Sequence, residues 1–159
     1  MPGAVISERC EAVEGIRSAM SDTAASTWHQ PVMVEEVLRC LNPRPGMTII
    51  DATLGTGGHS LAIAPRLLPD GRLIALDRDR EMLSRARQRL VDFGSLVTFV
   101  HDNFRNLRHV LERAGLSGVD GVLLDVGMSS MQLGDPARGF SFSHDGPLDM
   151  RMDSGQPLT

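Results

Sequence analysis

The sequence predicts an α/β domain built on a parallel β-sheet with helices on both faces. Three observations carry this. Short apolar segments alternate with helix-patterned ones along the chain. Segments such as Thr48-Ile49-Ile50 and Leu73-Ile74-Ala75-Leu76 run without polar alternation, as strands buried on both sides do. Three of the segments run into a carboxylate, Asp51, Asp77 and Asp125, so polar chemistry gathers at one edge of the sheet.

The elements follow in order. Val34, Val37, Leu38 and Leu41 recur at helical spacing, with Pro31 at the start of the helix and Asn42-Pro43-Arg44-Pro45-Gly46 ending it. Thr48 to Thr53 is a strand and Leu54-Gly55-Thr56-Gly57-Gly58 a glycine-rich turn. A helix begins near Gly58-His59-Ser60, and Pro65 should kink or shorten it because it lacks a backbone donor. Arg72 to Asp77 is the second strand. Arg78 to Leu90 is helical, with Leu83, Ala86 and Leu90 on one face. Val97 to His101 is the third strand, Asn106 to Ala114 a helix closed by Gly115, and Gly121 to Val126 the fourth strand. The expected strand order is 3-2-1-4. From Gly127 to Thr159 no period is visible, which implies functional loops or an incomplete set of elements.

Composition narrows the function classes. The apolar fraction of 42% suits a folded domain, and no apolar run is long enough to span a bilayer. Met1 to Thr27 is rich in Ala, Ser, Thr and Glu and poor in large apolar residues. It is expected to be a disordered or loosely helical tail rather than a secretory signal, and the expected location is cytoplasmic. Cys10 and Cys40 form neither a disulfide framework nor a zinc spacing. All 16 basic residues are arginines, yet the net charge is −4, which weighs against nucleic-acid binding by a uniformly basic surface.

Ligands of open α/β sheets bind beyond the carboxyl ends of the strands. There the sequence places Asp51 with the glycine turn, Asp77, the segment His101-Asp102-Asn103-Phe104, and Asp125 with Gly127. Glycines let a ligand approach the backbone closely. Asp77, at the end of strand two, can accept hydrogen bonds from ribose hydroxyls; its plainer role is a helix N-cap. A dinucleotide fingerprint wants glycine where Ser60 stands, and a Gly-Lys-Ser/Thr phosphate loop is absent. Asp51 would repel a pyrophosphate and suits a cation. S-adenosylmethionine, with its sulfonium and ammonium, is therefore preferred to a nicotinamide cofactor.

Five segments share one pattern: Trp28-His29-Gln30-Pro31-Val32-Met33; Asp51-Ala52-Thr53-Leu54-Gly55-Thr56-Gly57-Gly58-His59-Ser60; Ala75-Leu76-Asp77-Arg78-Asp79; Leu124-Asp125-Val126-Gly127-Met128-Ser129-Ser130-Met131-Gln132-Leu133; and Arg138-Gly139-Phe140-Ser141-Phe142 through Asp145-Gly146-Pro147-Leu148-Asp149-Met150-Arg151-Met152-Asp153. From His29 to Asp153 the chain resembles the bacterial 16S rRNA cytosine N4-methyltransferase family (RsmH/MraW). Met131 stands where that family often has Pro. The resemblance implies a Rossmann-like class I S-adenosylmethionine-dependent methyltransferase domain that methylates N4 of a decoding-region cytidine. Its partner would be 16S rRNA in the small ribosomal subunit. Carried over by motif, Gly57, Gly58 and His59 touch the cofactor, Asp77 takes its ribose, and Phe104, Asp125 and Gln132 complete the pocket.

Such enzymes are longer than this chain and carry an inserted helical domain after the Asp149-to-Asp153 segment. The expected boundaries are thus a tail over 1–27, the amino-terminal part of the methyltransferase domain over 28–153, and the start of the insertion over 154–159. About four strands are expected, with strand four an exposed edge open to self-association, so this chain is expected to bind cofactor without turnover. The alternatives are a non-catalytic fragment that binds a nucleoside cofactor or RNA, and a nicotinamide oxidoreductase, which Ser60 and Asp51 disfavour. No catalytic residue is assigned. The cysteine nucleophile of carbon-5 methylation has no candidate at the carboxyl edge. Phe140 and Phe142 are candidates for stacking a base or for packing a loop. His59 has a plainer role as a helix cap, and His144 as a surface-loop residue. Arg78, Arg80, Arg85, Arg87 and Arg89 read as a solvated helix face before an RNA contact. Met128, Met131, Met150 and Met152 read as packing residues.

Overall fold

The computed structural model describes residues 31–157. The expected tail over 1–27, Cys10 and the Trp28-His29-Gln30 segment lie outside them. The elements are α1 (Val34–Leu41), β1 (Thr48–Asp51), α2 (Gly58–Leu67), β2 (Arg72–Asp77), α3 (Arg80–Arg89), β3 (Val97–His101), α4 (Leu107–Arg113), β4 (Gly121–Leu123) and α5 (Ser130–Gly134). Short 3₁₀ turns occupy Val91–Leu96, Phe104–Asn106 and Pro136–Arg138. The four strands are parallel, in the expected order β3-β2-β1-β4. The register sets Asp51 opposite Ala75 and Asp77 opposite His101, so the carboxyl ends of the strands form one edge.

Both faces are covered over β1 and β2, which explains their unbroken apolar runs. Ile49, Leu73 and Ala75 point toward α1, α2 and α3, where Leu38, Ile63, Ala64, Leu67, Leu83, Ala86 and Leu90 complete one core. Ile50, Ala52, Ile74 and Leu76 point the other way and meet Val110 of α4, with Leu107 and Leu111 alongside. Successive strand residues alternate faces, so both members of each pair are apolar. The ends of α4 show how local sequence sets a boundary. Gly115, at φ 68°, donates its N–H to the Glu112 carbonyl and the Leu116 N–H reaches the Leu111 carbonyl, a Schellman closure.

Several expected boundaries shift. The first helix begins at Val34 rather than Pro31, and Pro31 packs instead on Gly58. Strand one stops at Asp51, not Thr53. Helix α2 runs two residues past Pro65 and ends at Leu67. Helix α3 begins at Arg80 because Asp79, not Asp77, is its N-cap: the Asp79 carboxylate accepts from the N–H groups of Glu81 and Met82. Helix α4 starts at Leu107, one residue later than expected.

Strand β4 pairs only over Gly121–Leu123 instead of reaching Val126. Past Leu123 the partner changes from backbone to side chain: the Asp125 N–H donates to Thr53 Oγ1 at 2.7 Å, which turns the chain out of the ladder. The segment after Val126 is not structureless. Ser129 and Gln132 form a reciprocal capping box that nucleates α5, and the Ser-x-x-Gln spacing is a visible signal for it.

Candidate cofactor cleft

A cleft of about 370 Å³ opens at the carboxyl edge of the sheet. It is lined by the β1–α2 loop (Ala52 to Thr56, Gly58, His59), by Asp77, Arg78 and Met82 after β2, and by Asp102 and Phe104 after β3. Asp125 to Ser129, Gln132, Met152, Pro31 and Val32 close it. Six of the seven residues expected at the site therefore share one wall system: Gly58, His59, Asp77, Phe104, Asp125 and Gln132. Gly57 is the exception.

The loop conformation explains why. Gly57 has φ 81° and sits at the N-cap of α2, where a Cβ would meet Ala86 Cβ of α3 and Cδ1 of Leu90, the C-cap of α3, both at 3.3 Å. It is a packing glycine, turned toward a helix and not toward the cleft. Gly55, by contrast, has φ 53°, lines the cleft, and nothing lies within 4 Å of where its Cβ would project.

Asp77 ties this loop to β2. Its Oδ2 accepts from the Gly55 N–H at 2.7 Å and its Oδ1 from the Asp79 N–H at 2.8 Å. Burial pushes its carboxyl above the ordinary carboxylate value, against those two bonds. A carboxylate offers about four acceptor sites, so Asp77 keeps capacity for a ligand hydroxyl.

Asp51 does not face the cleft. It is fully buried beneath the loop, where Oδ2 accepts from Ser60 Oγ at 2.7 Å and Oδ1 from the Thr53 N–H at 3.3 Å. Burial raises its pKa to about 6 despite those bonds. The cation argument drawn from Asp51 thus loses its geometric basis. Asp77, Asp102 and Asp125 are the carboxylates that line the cleft.

At the other end, His59 Nε2 lies 3.4 Å from Asp125 Oδ2. The ring is buried, and its Nδ1 has no hydrogen-bond partner. No capping bond from His59 appears, since the N-cap of α2 is Gly57 without a side-chain bond. Gln132 is buried and spans two roles. Its Oε1 accepts from the Ser129 N–H at 3.0 Å, and its Nε2 donates to Asp79 Oδ2 at 2.8 Å. The same Asp79 oxygen takes Arg138 Nη2 at 2.8 Å. Neither Asp79 nor Arg138 stands among the residues assigned from the motif.

The remaining candidates separate cleanly. Phe140 is buried and Phe142 is fully exposed. Met128 and Met150 are exposed rather than packed, Met128 and Met152 line the cleft, and His144 is a surface-loop residue bonded to Ser141 and Ser143. Arg85 pairs with Glu81 one turn away and the Arg87 guanidinium lies 4.5 Å from the Phe99 ring centroid, so both serve the surface of α3. Cys40 is exposed on α1 and does not line the cleft. Among the described residues no helix is long and apolar enough to cross a membrane.

Known proteins share both the sequence and the architecture. Residues 26–159 match the model of the MraW methylase family. The ribosomal RNA small subunit methyltransferase H of Symbiobacterium thermophilum is 51% identical over 131 residues, covering 82% of this chain and 41% of its own length. That of Nitratidesulfovibrio vulgaris is 52% identical over 129 residues, 81% of this chain and 36% of its own. The chain thus spans about two fifths of the length of these curated relatives. The crystal structure of NSun6 from Pyrococcus horikoshii with SFG superposes with a TM-score of 0.52 at 27% identity, covering 63% of this chain and 25% of that one. The match over residues 26–159, which takes in the whole sheet, the glycine loop and the segments following β4, together with relatives identical at about half of the aligned positions, shows that this chain belongs to the MraW methylase family.

Proposed function

We propose that the cleft binds S-adenosylmethionine and serves methyl transfer to the N4 amino group of a cytidine in the decoding region of 16S rRNA, with the small ribosomal subunit as partner. The observation that carries this is convergence: residues drawn from four strand ends, Gly58, His59, Asp77, Phe104, Asp125 and Gln132, line one cleft. The name shared by the relatives from Symbiobacterium and Nitratidesulfovibrio supports an rRNA substrate, and the solved structure of the Pyrococcus protein with SFG supports a small-molecule ligand on this fold.

The residues fit a nucleoside that carries a cationic tail. Gly55 leaves open the space a Cβ would fill. Asp77 offers unused acceptor capacity for ribose hydroxyls, and Phe104, part-exposed after β3, offers a flat apolar face for a base. His59 Nδ1, buried without a partner beside the cleft, marks where a ligand group completes the bonding. Asp125 supplies negative charge at the β4 end. When bound, S-adenosylmethionine supplies an electrophilic methyl group.

The chain's task is then placement. The lone pair on N4 of cytosine is delocalised into the ring, so rate comes from holding N4 in line with the methyl group and from acceptors aimed at the amino hydrogens. Asp125, half exposed at the cleft mouth, is the acceptor we assign to that end. Carbon-5 chemistry by a cysteine is not part of this reading, because among the described residues the cysteine, Cys40, stands away from the cleft.

A second reading, cofactor binding without transfer, is favoured by one observation: among the described residues β4 pairs only with β1, and its other edge is open. Titration calorimetry of residues 1–159 with S-adenosylmethionine tests the shared part of both readings. Small subunits from a strain lacking the methyltransferase, incubated with chain and cofactor and then digested for mass spectrometry, separate them. N4-methylcytidine establishes transfer; binding without it establishes the second reading; absence of binding overturns both.

A further inference from the structure

Two cleft walls are held by a pair of residues that do not line the cleft. Arg138 closes the 3₁₀ turn Pro136–Arg138, and its side chain is largely buried, 12% exposed. Its Nη2 donates to Asp79 Oδ2 at 2.8 Å and to the Met152 carbonyl at 2.7 Å, with the Arg151 carbonyl at 3.3 Å. Nη1 lies 3.5 Å from Glu81 Oε2. The Arg138 carbonyl accepts from the Met150 N–H at 3.2 Å, so the turn and the segment after it are bonded in both directions. Asp79 is buried at the N-cap of α3, and its Oδ2 also receives Gln132 Nε2. Gln132 and Met152 line the cleft; Asp79 and Arg138 do not.

We propose that Arg138 is a positioning residue that sets two cleft walls, Gln132 through the Asp79 carboxylate and Met152 through its own carbonyl, and so governs cofactor affinity without touching the cofactor. The inference rests on the reading that the cleft takes S-adenosylmethionine.

The chemistry explains the choice of arginine. The two N–H groups of Nη2 serve the Asp79 carboxylate and the Met152 carbonyl, with the Arg151 carbonyl sharing one of them, while Nη1 on the same plane turns to Glu81; a lysine ammonium is a compact charge that lacks this two-armed fork. The Asp79 carboxylate in turn needs its partner. Burial pushes it upward, and the bonds from Arg138 and Gln132 outweigh burial and hold it below the ordinary carboxylate value. Removing Arg138 leaves a buried charge short of a partner and frees the 149–153 segment from the turn, so both walls lose their common anchor.

The test uses residues 1–159, with S-adenosylmethionine as the probe. In the parent, hydrogen–deuterium exchange should slow on cofactor addition in residues 129–138 and 149–153 together with the loop over 53–59. By calorimetry, Arg138→Met should bind at least tenfold more weakly, with Arg138→Lys between it and the parent. The double variant Asp79→Asn/Arg138→Met should bind about as weakly as the weaker single variant, because the two residues act as one unit. If Arg138→Met does not fold, Arg138→Lys and the parent's exchange pattern decide. Protection confined to 53–59 and Asp77, parent-like affinity in the folded Arg138 variants, or additive losses in the double variant would each overturn the proposal. A role in stability alone would lower the unfolding midpoint and leave the affinity of the folded protein unchanged, which also overturns it. A parent that binds no S-adenosylmethionine removes the cofactor reading and this inference together, whereas a binding parent with unaffected variants removes only the inference.

Discussion

His59 Nε2 stands 3.4 Å from Asp125 Oδ2, joining the glycine loop after β1 to the chain leaving β4 across the cleft. Asp125 is the ion-pair partner of the buried ring among the described residues, and Nδ1 on the other side has no hydrogen-bond partner. Asp125→Ala should leave both ring nitrogens without a partner and remove the charge at the cleft mouth. The expected loss of S-adenosylmethionine affinity is about 1–3 kcal/mol, the cost of unmatched buried polar groups. Asp125→Asn, which keeps an acceptor, should lose less. Calorimetry on the three proteins checks the ranking, and parent-like affinity in Asp125→Ala would remove Asp125 from the site.

Asp77 organises the loop and offers acceptors to the ligand, so its loss should act on both. Asp77→Ala should weaken cofactor binding by about 1–3 kcal/mol, while the N–H groups of Gly55 and Asp79 lose their acceptors. Asp77→Asn keeps one acceptor oxygen and should fall between. Titration isotherms that overlay the parent's would show that the ligand does not engage Asp77.

The two loop glycines should separate stability from binding. Gly57→Val places a β-branched side chain at φ 81° and against Ala86 and Leu90. The left-handed backbone alone costs about 1–3 kcal/mol for a non-glycine residue, and the packing adds to it. Gly55→Ala meets open space, so its stability loss should be smaller, on the order of 1 kcal/mol, while its new methyl intrudes on the cleft and weakens binding. Urea midpoints and calorimetry on both variants check the crossover; equal behaviour would contradict the assignment of Gly55 to the cleft and Gly57 to α3.

Asp51 should make stability fall as pH rises. Its folded pKa of about 6 lies above the ordinary 3.8, so the folded protein holds a proton that the unfolded chain releases between those values. The destabilisation is absent below the unfolded value and complete above about pH 6. It amounts to on the order of 2–3 kcal/mol by linkage. Asp79, held low, has the opposite sign: its stabilisation is present above its unfolded value and is lost as pH falls further. The difference in urea unfolding free energy between parent and Asp51→Asn across pH 4–7 isolates Asp51, because Asp77 and Asp79 are common to both. A flat difference would refute the assignment.

The outer edge of β4 should mediate self-association. Val122 and Leu124 are 38% and 50% exposed, and the backbone groups on that side have no strand partner among the described residues. Sedimentation should show concentration-dependent association of residues 1–159, and Val122→Lys should reduce it, since charge on an edge strand opposes pairing. A parent that stays monomeric at high concentration would show the edge to be inert.

The sequence by itself determined the sheet and its functional edge. Unbroken apolar runs can satisfy their side chains only with both faces covered, and a carboxylate or glycine at the end of each run can sit only where the strands stop. The buried cores of the strands and the gathering of Asp77, Phe104 and Asp125 follow from that logic. Tertiary structure alone decided which member of each local set faces the ligand. Gly55 and Gly57 are two residues apart with the same residue type, and the packing of α3 turns one inward. Asp51 and Asp77 both end strands, yet Ser60 and the Thr53 N–H draw the first beneath the loop. Asp77 and Asp79 are equally good caps on paper, and the Gly55 N–H claims the first and leaves the helix to the second. The Arg138–Asp79 bridge joins residues 59 positions apart. No local period encodes such a contact, because the need for it arises only when the fold buries the Asp79 charge.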